Sequence, residues 1–124
     1  MKKFISLIAL SLLIAAPTAS ALTEDEVKEC NSLAQSFGPN QKKIEAKVAE
    51  RDVFAEETEA AGEAWENAEN VRSLSADAAA EADELRATWE RMKNEFDVIE
   101  SELFELSRKH EANAARFNNV CVKD

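Results

Sequence analysis

Residues 82–120 decide the fold, and their sequence is ADELRATWERMKNEFDVIESELFELSRKHEANAARFNNV. Within this stretch, candidate core residues recur at alternating steps of three and four, without a break. They are Ala82, Leu85, Trp89, Met92, Phe96, Ile99, Leu103, Leu106, His110, Asn113, Phe117 and Val120. Such steps mark the a and d positions of a heptad repeat, whose side chains face a partner helix in a coiled coil. The stretch therefore predicts a long helix that packs along one side against a second helix.

The preceding segment supplies a matching helix. Its candidate core positions follow the same spacing and are Phe54, Thr58, Ala61, Trp65, Ala68, Arg72 and Ser75. Joining the two registers across Ser75 requires an irregular step of three residues. A continuous coil would have to overwind there, whereas a turn absorbs the step without strain. We therefore predict an antiparallel hairpin that turns near Ser75.

The core positions of the two arms are also mirror images about Ser75. Opposed residues have numbers that add to 150, such as Trp65 with Leu85 or Leu33 with Phe117. Each a position then faces a d position, as antiparallel coiled coils require. The predicted core of the seam, which is the row of a and d positions between the arms, is Phe54, Trp65, Leu85, Trp89, Met92, Phe96, Ile99, Leu103, Leu106 and Phe117.

Capping signals predict three helices, at about 24–37, 41–73 and 76–119. Thr23 and Glu26 have the spacing of a capping box, in which each side chain bonds the backbone N–H of the other residue. The sequence Gly38-Pro39-Asn40 is expected to end the first helix, because proline lacks a backbone donor and Asn40 suits an N-cap. The short first helix is expected to continue outward with a kink.

Two cysteines, Cys30 and Cys121, lie 91 residues apart at the open end of the predicted hairpin. In an exported protein, a single pair of cysteines is typical of one disulfide. The expected fold is therefore all-α: a long antiparallel two-helix coiled-coil hairpin with a short N-terminal helix, closed at its open end by one disulfide. An alternative satisfies the same pattern, in which two straight helices from separate chains pair antiparallel and Cys30 bonds to Cys121 of the other chain.

Residues 1–21 have the pattern of a cleaved signal peptide. Lys2 and Lys3 are followed by an apolar run and then by Ala19-Ser20-Ala21, the small residues that a signal peptidase accepts. The rival interpretation is a retained N-terminal anchor, although the run is short for a membrane span. We expect cleavage after Ala21, a helical domain at residues 22–124, a periplasmic or secreted location, and no membrane insertion after cleavage.

The charge balance excludes some partners. The chain has 124 residues and a net charge of −10, and removal of Lys2 and Lys3 with the leader leaves 13 basic against 25 acidic residues, a net charge of −12. A strongly acidic chain repels nucleic acid and anionic lipid. We therefore expect no nucleic-acid partner and predict either a protein partner or self-association.

One side of the N-terminal arm carries an additional apolar stripe. Val27, Ala34, Val48 and Ala55 occupy e positions, beside the seam. A widened apolar face favours a contact with a partner protein or a second hairpin. The alternative is ordinary helical drift in which Lys47 and Arg51, at core-facing positions, extend their charged ends outward. These four e-position residues are the predicted partner face.

The chain has none of the motifs that mark an enzyme or cofactor site. His110 is the single histidine, and no Cys-His or His-His metal spacing accompanies it. The many carboxylates are expected to form a solvated surface. We therefore expect a non-enzymatic scaffold or adaptor without catalytic residues, cofactor or metal. The alternatives are a holding chaperone for unfolded exported proteins and an acidic cation-binding protein.

Overall fold

The computed structural model describes residues 21–122, which form a helical hairpin. Helix α1 comprises Glu24–Glu69, a single 3₁₀ turn comprises Arg72–Leu74, and helix α2 comprises Ala76–Val120. The two helices run antiparallel and pack against each other, and residues 21–122 include no β-strand. The predicted all-α hairpin is confirmed. The predicted leader lies outside the described residues except for Ala21.

The predicted N-terminal cap of α1 is present. The Thr23 hydroxyl accepts a hydrogen bond from the Glu26 N–H at 3.2 Å, and the Glu26 carboxylate accepts one from the Thr23 N–H at 2.8 Å. Glu24 and Asp25 add negative charge to the first turn, where the helix dipole favours it. The hairpin therefore begins where the capping box predicts.

The connection between the helices contains no glycine, yet it requires no unusual backbone conformation. Helix α1 ends at Glu69, and the Leu74 N–H then donates to the Val71 carbonyl at 3.0 Å. Ser75 is extended, and its hydroxyl accepts a hydrogen bond from the Ala78 N–H at 3.0 Å as the N-cap of α2. No residue in the described part of the chain has a positive φ. One 3₁₀ turn and one serine cap are therefore sufficient to reverse the chain.

The predicted break at Gly38-Pro39-Asn40 is wrong. Helix α1 passes through Pro39 without interruption, so residues 24–37 do not form a separate short helix and Asn40 does not cap a second one. The residue before a proline avoids the helical conformation chiefly because its Cβ and N–H meet the proline ring. Gly38 has no Cβ, which lowers this cost. The uninterrupted helix α1 also lets Phe37 pack on α2, where it contacts His110 and Phe117.

A disulfide joins Cys30 to Cys121 within one chain, as predicted. Their Cα atoms are 5.7 Å apart, a normal separation for this bond. Cys30 is buried between the two arms. The bond therefore closes the open end of a hairpin formed by a single polypeptide.

The register of the two arms agrees with the mirror pattern, and the contacts of individual aromatic side chains depart from it by a few residues. Lys47 bonds to Glu102 at 2.7 Å, and these two numbers add to 149. Two aromatic contacts, Trp65 with Trp89 and Phe37 with Phe117, add to 154, whereas a third, Phe37 with His110, adds to 147. Side chains on a helix lean toward its N-terminus, so side chains on antiparallel helices lean toward each other along the seam. This tilt accounts for the contact of Trp65 with Trp89, whereas the Phe37 ring lies between Phe117 and His110 and contacts both.

Burial along the seam is incomplete, because two helices cannot enclose a core. The buried residues in the described part of the chain are Cys30, Ala82 and Ile99. The other predicted core residues are half-buried, namely Phe54, Trp65, Leu85, Trp89, Met92, Phe96, Leu103, Leu106 and Phe117. A surface helix normally buries an apolar stripe against more than one neighbour. This hairpin therefore leaves one edge of its large side chains accessible.

Charged residues at core-facing positions extend toward the solvent. The Lys47 ammonium group bonds to Glu102 on α2 at 2.7 Å and to Glu50 at 2.8 Å. These two hydrogen bonds raise the pKa of Lys47 above its usual range. The Lys47 side chain is thus largely shielded from solvent, and its charge links the two helices.

Candidate functional site

Two stacked indole rings lie in the half of the hairpin nearest the turn. The ring centroids of Trp65 and Trp89 are 4.8 Å apart and the ring planes differ by 24°. The two residues are the only tryptophans of the chain. Aromatic rings at this separation attract each other beyond the area that they bury. The pair links the two arms in this half of the hairpin.

Gly62 allows this close contact. A Cβ atom at Gly62 would lie 3.0 Å from Nε1 and 3.3 Å from Cδ1 of Trp89. Gly62 also lies one heptad after Ala55, in the same e-position stripe. The missing side chain at Gly62 therefore lets the Trp89 ring lie close to the backbone of α1.

Two cations lie over the indole faces. The Lys93 ammonium group is 4.6 Å from the centroid of the Trp89 ring, and the Arg86 guanidinium is 5.8 Å from that of Trp65. Such placement is favourable because the face of an aromatic ring is electronegative. Arg86 also pairs with Glu90 at 3.0 Å. The basic groups nearest the indoles therefore already have partners.

An open, mainly apolar groove lies beside the indole pair. It has a volume of about 360 Å³ and is lined by Ala55, Thr58, Glu59, Trp89, Lys93 and Phe96. The Thr58 hydroxyl does not face a ligand, because it donates to the Phe54 carbonyl of its own helix at 2.7 Å. The polar groups left at the rim are therefore one carboxylate, Glu59, and one ammonium group, Lys93.

The opposite side of the seam is more acidic than the side that carries the groove. A depression of about 340 Å³ is lined there by Glu50, Phe54, Glu95, Val98, Ile99 and Glu102. Three carboxylates border its apolar base. Within residues 21–122, no group of three or more potential metal ligands has the geometry to hold a metal ion.

The four residues of the predicted partner face divide into two pairs. Ala55 lines the groove and Val48 is half-buried nearby. Val27 and Ala34, toward the disulfide end, are exposed. The structure thus brings one of the four into a concave surface. The indole stack and the role of Gly62 were not predicted, although Gly62 is visible in the sequence as the next member of the same stripe.

Charge is distributed unevenly along the hairpin. Residues 52–98, the turn half, contain 14 acidic and four basic residues, a net charge of −10. Residues 22–51 and 99–122, the disulfide half, contain 10 acidic and eight basic residues, a net charge of −2. Nearly all of the excess negative charge therefore surrounds the groove and the turn.

Ion pairs between the arms occur near both ends. Arg116 bonds to Glu29 at 2.6 Å near the disulfide, and this hydrogen bond lowers the pKa of Glu29. Near the turn, Arg72 pairs with Asp83 and lowers the pKa of that carboxyl. Such exposed pairs add little stability individually, but they favour the observed register.

Several apolar residues are exposed away from the seam. Leu74, in the turn, is 77% exposed, and Phe104, on the outer surface of α2, is 66% exposed. His110 is half-buried against the edge of Phe37, with ring centroids 5.8 Å apart, and its Nδ1 atom has no hydrogen-bond partner among the described residues. These features do not form a concave site together.

No known protein family, characterised protein or solved structure is detectably similar to this chain. No helix within residues 21–122 combines the length and the apolar character that crossing a membrane requires.

Proposed function

We propose that the mature chain is an exported, non-enzymatic scaffold or adaptor that binds another protein along its hairpin. The observation that carries this proposal is the open apolar groove beside the Trp65–Trp89 pair. An exposed concave apolar surface with a polar rim is typical of protein interaction sites. Because the two helices and the Cys30–Cys121 bond hold the groove in place, little conformational entropy is lost on binding.

Export to the periplasm or the exterior is supported by two features. The sequence of residues 1–21 has the signal-peptide pattern, and the disulfide is of a kind that persists in oxidising compartments. Mass spectrometry of the protein from its native host tests this part of the proposal. We expect a mature N-terminus at Leu22 and oxidised cysteines; a retained leader or free thiols would contradict it.

The absence of catalysis is proposed from the chemistry of the groove. Acid–base chemistry needs groups that converge on a substrate in a pocket that limits access of water. The groove is open, its Thr58 hydroxyl is bonded to the Phe54 carbonyl, and its Lys93 ammonium group lies over the Trp89 ring. Binding is therefore the activity that this surface supports best.

Site-specific photo-crosslinking tests the scaffold role. A photoreactive residue would replace Glu59 at the groove, and in a matched control it would replace Glu45, an exposed residue on the same face of α1 two heptads earlier. In the exported fraction of the native host, we expect a discrete crosslinked adduct from position 59 and a much weaker one from position 45. A solitary monomer without adducts from either position would contradict the proposal.

A further inference from the structure

We propose that the turn half of the hairpin, residues 52–98, binds a lysine- or arginine-rich protein helix that inserts one apolar side chain into the groove. The inference rests on the proposed scaffold function and names the chemistry of its partner. Two independent features of this half support it, namely its charge and the shape of its apolar surface.

The charge of the turn half selects a basic partner. Its net charge is −10, whereas the disulfide half has −2. On α1, the span 52–70 contains seven acidic residues and no basic one. A potential of one sign over a surface raises the association rate of a partner with the opposite charge. A basic helix would therefore be attracted to this half in particular.

The groove provides the place for an apolar anchor. Ala55 and the aromatic rings of Trp89 and Phe96 line it, and the small side chain of Ala55 leaves room on the α1 side. Its volume of about 360 Å³ accommodates a large side chain such as leucine or phenylalanine. An amphipathic helix in a groove uses such anchors at intervals of three and four residues.

The charged residues at the rim of the groove also agree with a basic partner. The Glu59 carboxylate belongs to the lining and forms no ion pair among the described residues, so it is available to a cation of the partner. Lys93 instead lies over the Trp89 ring, 4.6 Å from its centroid. The basic group of the groove is thus already engaged with an aromatic face while the acidic group is available.

The same charge argues against other occupants. A second copy docked through the same half would bring an equal excess of negative charge, and its disulfide half, at −2, has no positive excess to offer. Nucleic acids and anionic lipids present phosphate groups, which the carboxylates repel. A basic protein segment is the macromolecular partner whose charge complements this surface.

A synthetic helical peptide, roughly five turns long, with leucine on one face and lysine on the other, is the probe for a binding test. Tryptophan fluorescence reports binding directly, because both tryptophans of the chain lie in the stack beside the groove. Calorimetry gives the affinity and the stoichiometry. The comparison peptides replace lysine by glutamate, or leucine by glutamine.

Ala55→Arg fills the groove with a long side chain, and Ala34→Arg is its matched control, since it makes the same change at an exposed e position three heptads away. We expect the leucine–lysine peptide to bind wild type and Ala34→Arg alike, at one peptide per hairpin. Ala55→Arg should weaken binding by roughly tenfold or more. Circular dichroism checks that both variants remain helical.

Three outcomes would overturn the inference: no binding of the leucine–lysine peptide, equal binding by the two arginine variants, or equal binding of the peptide that lacks leucine. The last two would show that charge alone attracts the peptide to the hairpin. The photoreactive residue at position 59 could still yield a crosslinked partner in the native host while the peptide fails to bind. In that case the scaffold function stands and only the partner chemistry is wrong.

Discussion

Trp65 stacks on Trp89 with ring centroids 4.8 Å apart, although the mirror pattern of the two arms pairs Trp89 with Ala61. The displacement follows from the tilt of side chains toward the N-terminus of each helix, which in antiparallel helices brings opposed side chains together. Phe37 contacts Phe117 with the same offset, but it also contacts His110, which is offset in the opposite direction. The contact of Trp65 with Trp89 is therefore predictable once this tilt is included.

Gly62→Ala should destabilise the hairpin, although alanine favours helix more than glycine does. The new Cβ would lie 3.0 Å from Trp89 Nε1, and that ring has little room to move because it is stacked on Trp65. Overpacking of about 1–3 kcal/mol opposes a gain in helix propensity of about 0.5–1 kcal/mol, so a net loss of about 1 kcal/mol is expected. Urea denaturation measures this change.

A double-mutant cycle tests whether the contact with Trp89 causes the loss of stability in Gly62→Ala. In a Trp89→Leu background, the indole is absent and Gly62→Ala should become neutral or stabilising. An equal loss of stability in both backgrounds would show that the contact with Trp89 is not responsible.

Pro39→Ala should raise stability. Pro39 is exposed inside α1, where it lacks the N–H that would bond to the carbonyl four residues earlier. Restoring that hydrogen bond in a continuous helix should add about 1–3 kcal/mol to the free energy of unfolding. If the helix were broken at this site in solution, the substitution would leave thermal stability nearly unchanged.

The sequence predicts the hairpin, the position of its turn and its disulfide, since all three follow from spacing that a two-helix seam imposes. The break at Pro39 was predicted from local propensity, which the packing of Phe37 on α2 and the missing Cβ of Gly38 outweigh. Heptad positions assign a face to each residue but not the direction of a long side chain. The groove was therefore not predicted, although one of its lining residues, Ala55, belongs to the predicted partner face.

Removal of the disulfide by Cys30→Ser with Cys121→Ser should lower stability substantially. The bond closes a loop of 91 residues, and in the chain-entropy model such a loop corresponds to roughly 4–5 kcal/mol. Thermal unfolding of the double variant and of the reduced wild type should agree with each other. A melting temperature equal to that of the oxidised protein would show that the bond does not constrain the unfolded chain.

Acid should weaken the disulfide end through Glu29. Because the hydrogen bond from Arg116 lowers the pKa of folded Glu29 below its ordinary value of 4.5, the pair stabilises the fold above that pH. The contribution is lost as the pH falls through the lowered value. Glu29→Gln should therefore reduce the melting temperature at neutral pH and make no difference in strong acid.

Glu111→Gln is the control for this series, since Glu111 is exposed and forms no ion pair with any residue between 21 and 122. It should leave the melting temperature unchanged at every pH. An effect of Glu29→Gln that did not depend on pH would contradict the assignment to the Arg116 pair.

Small-angle scattering of the oxidised mature chain, with its mass from light scattering, tests the chain reversal at Ser75 most directly. A helix of 46 residues is about 70 Å long, so the hairpin should scatter as a monomer with a maximum dimension near that length. One unbroken helix from Glu24 to Val120, paired with a second chain, would instead give a dimer about 145 Å long. A compact monomer is the predicted result, and the elongated dimer would contradict the fold described here.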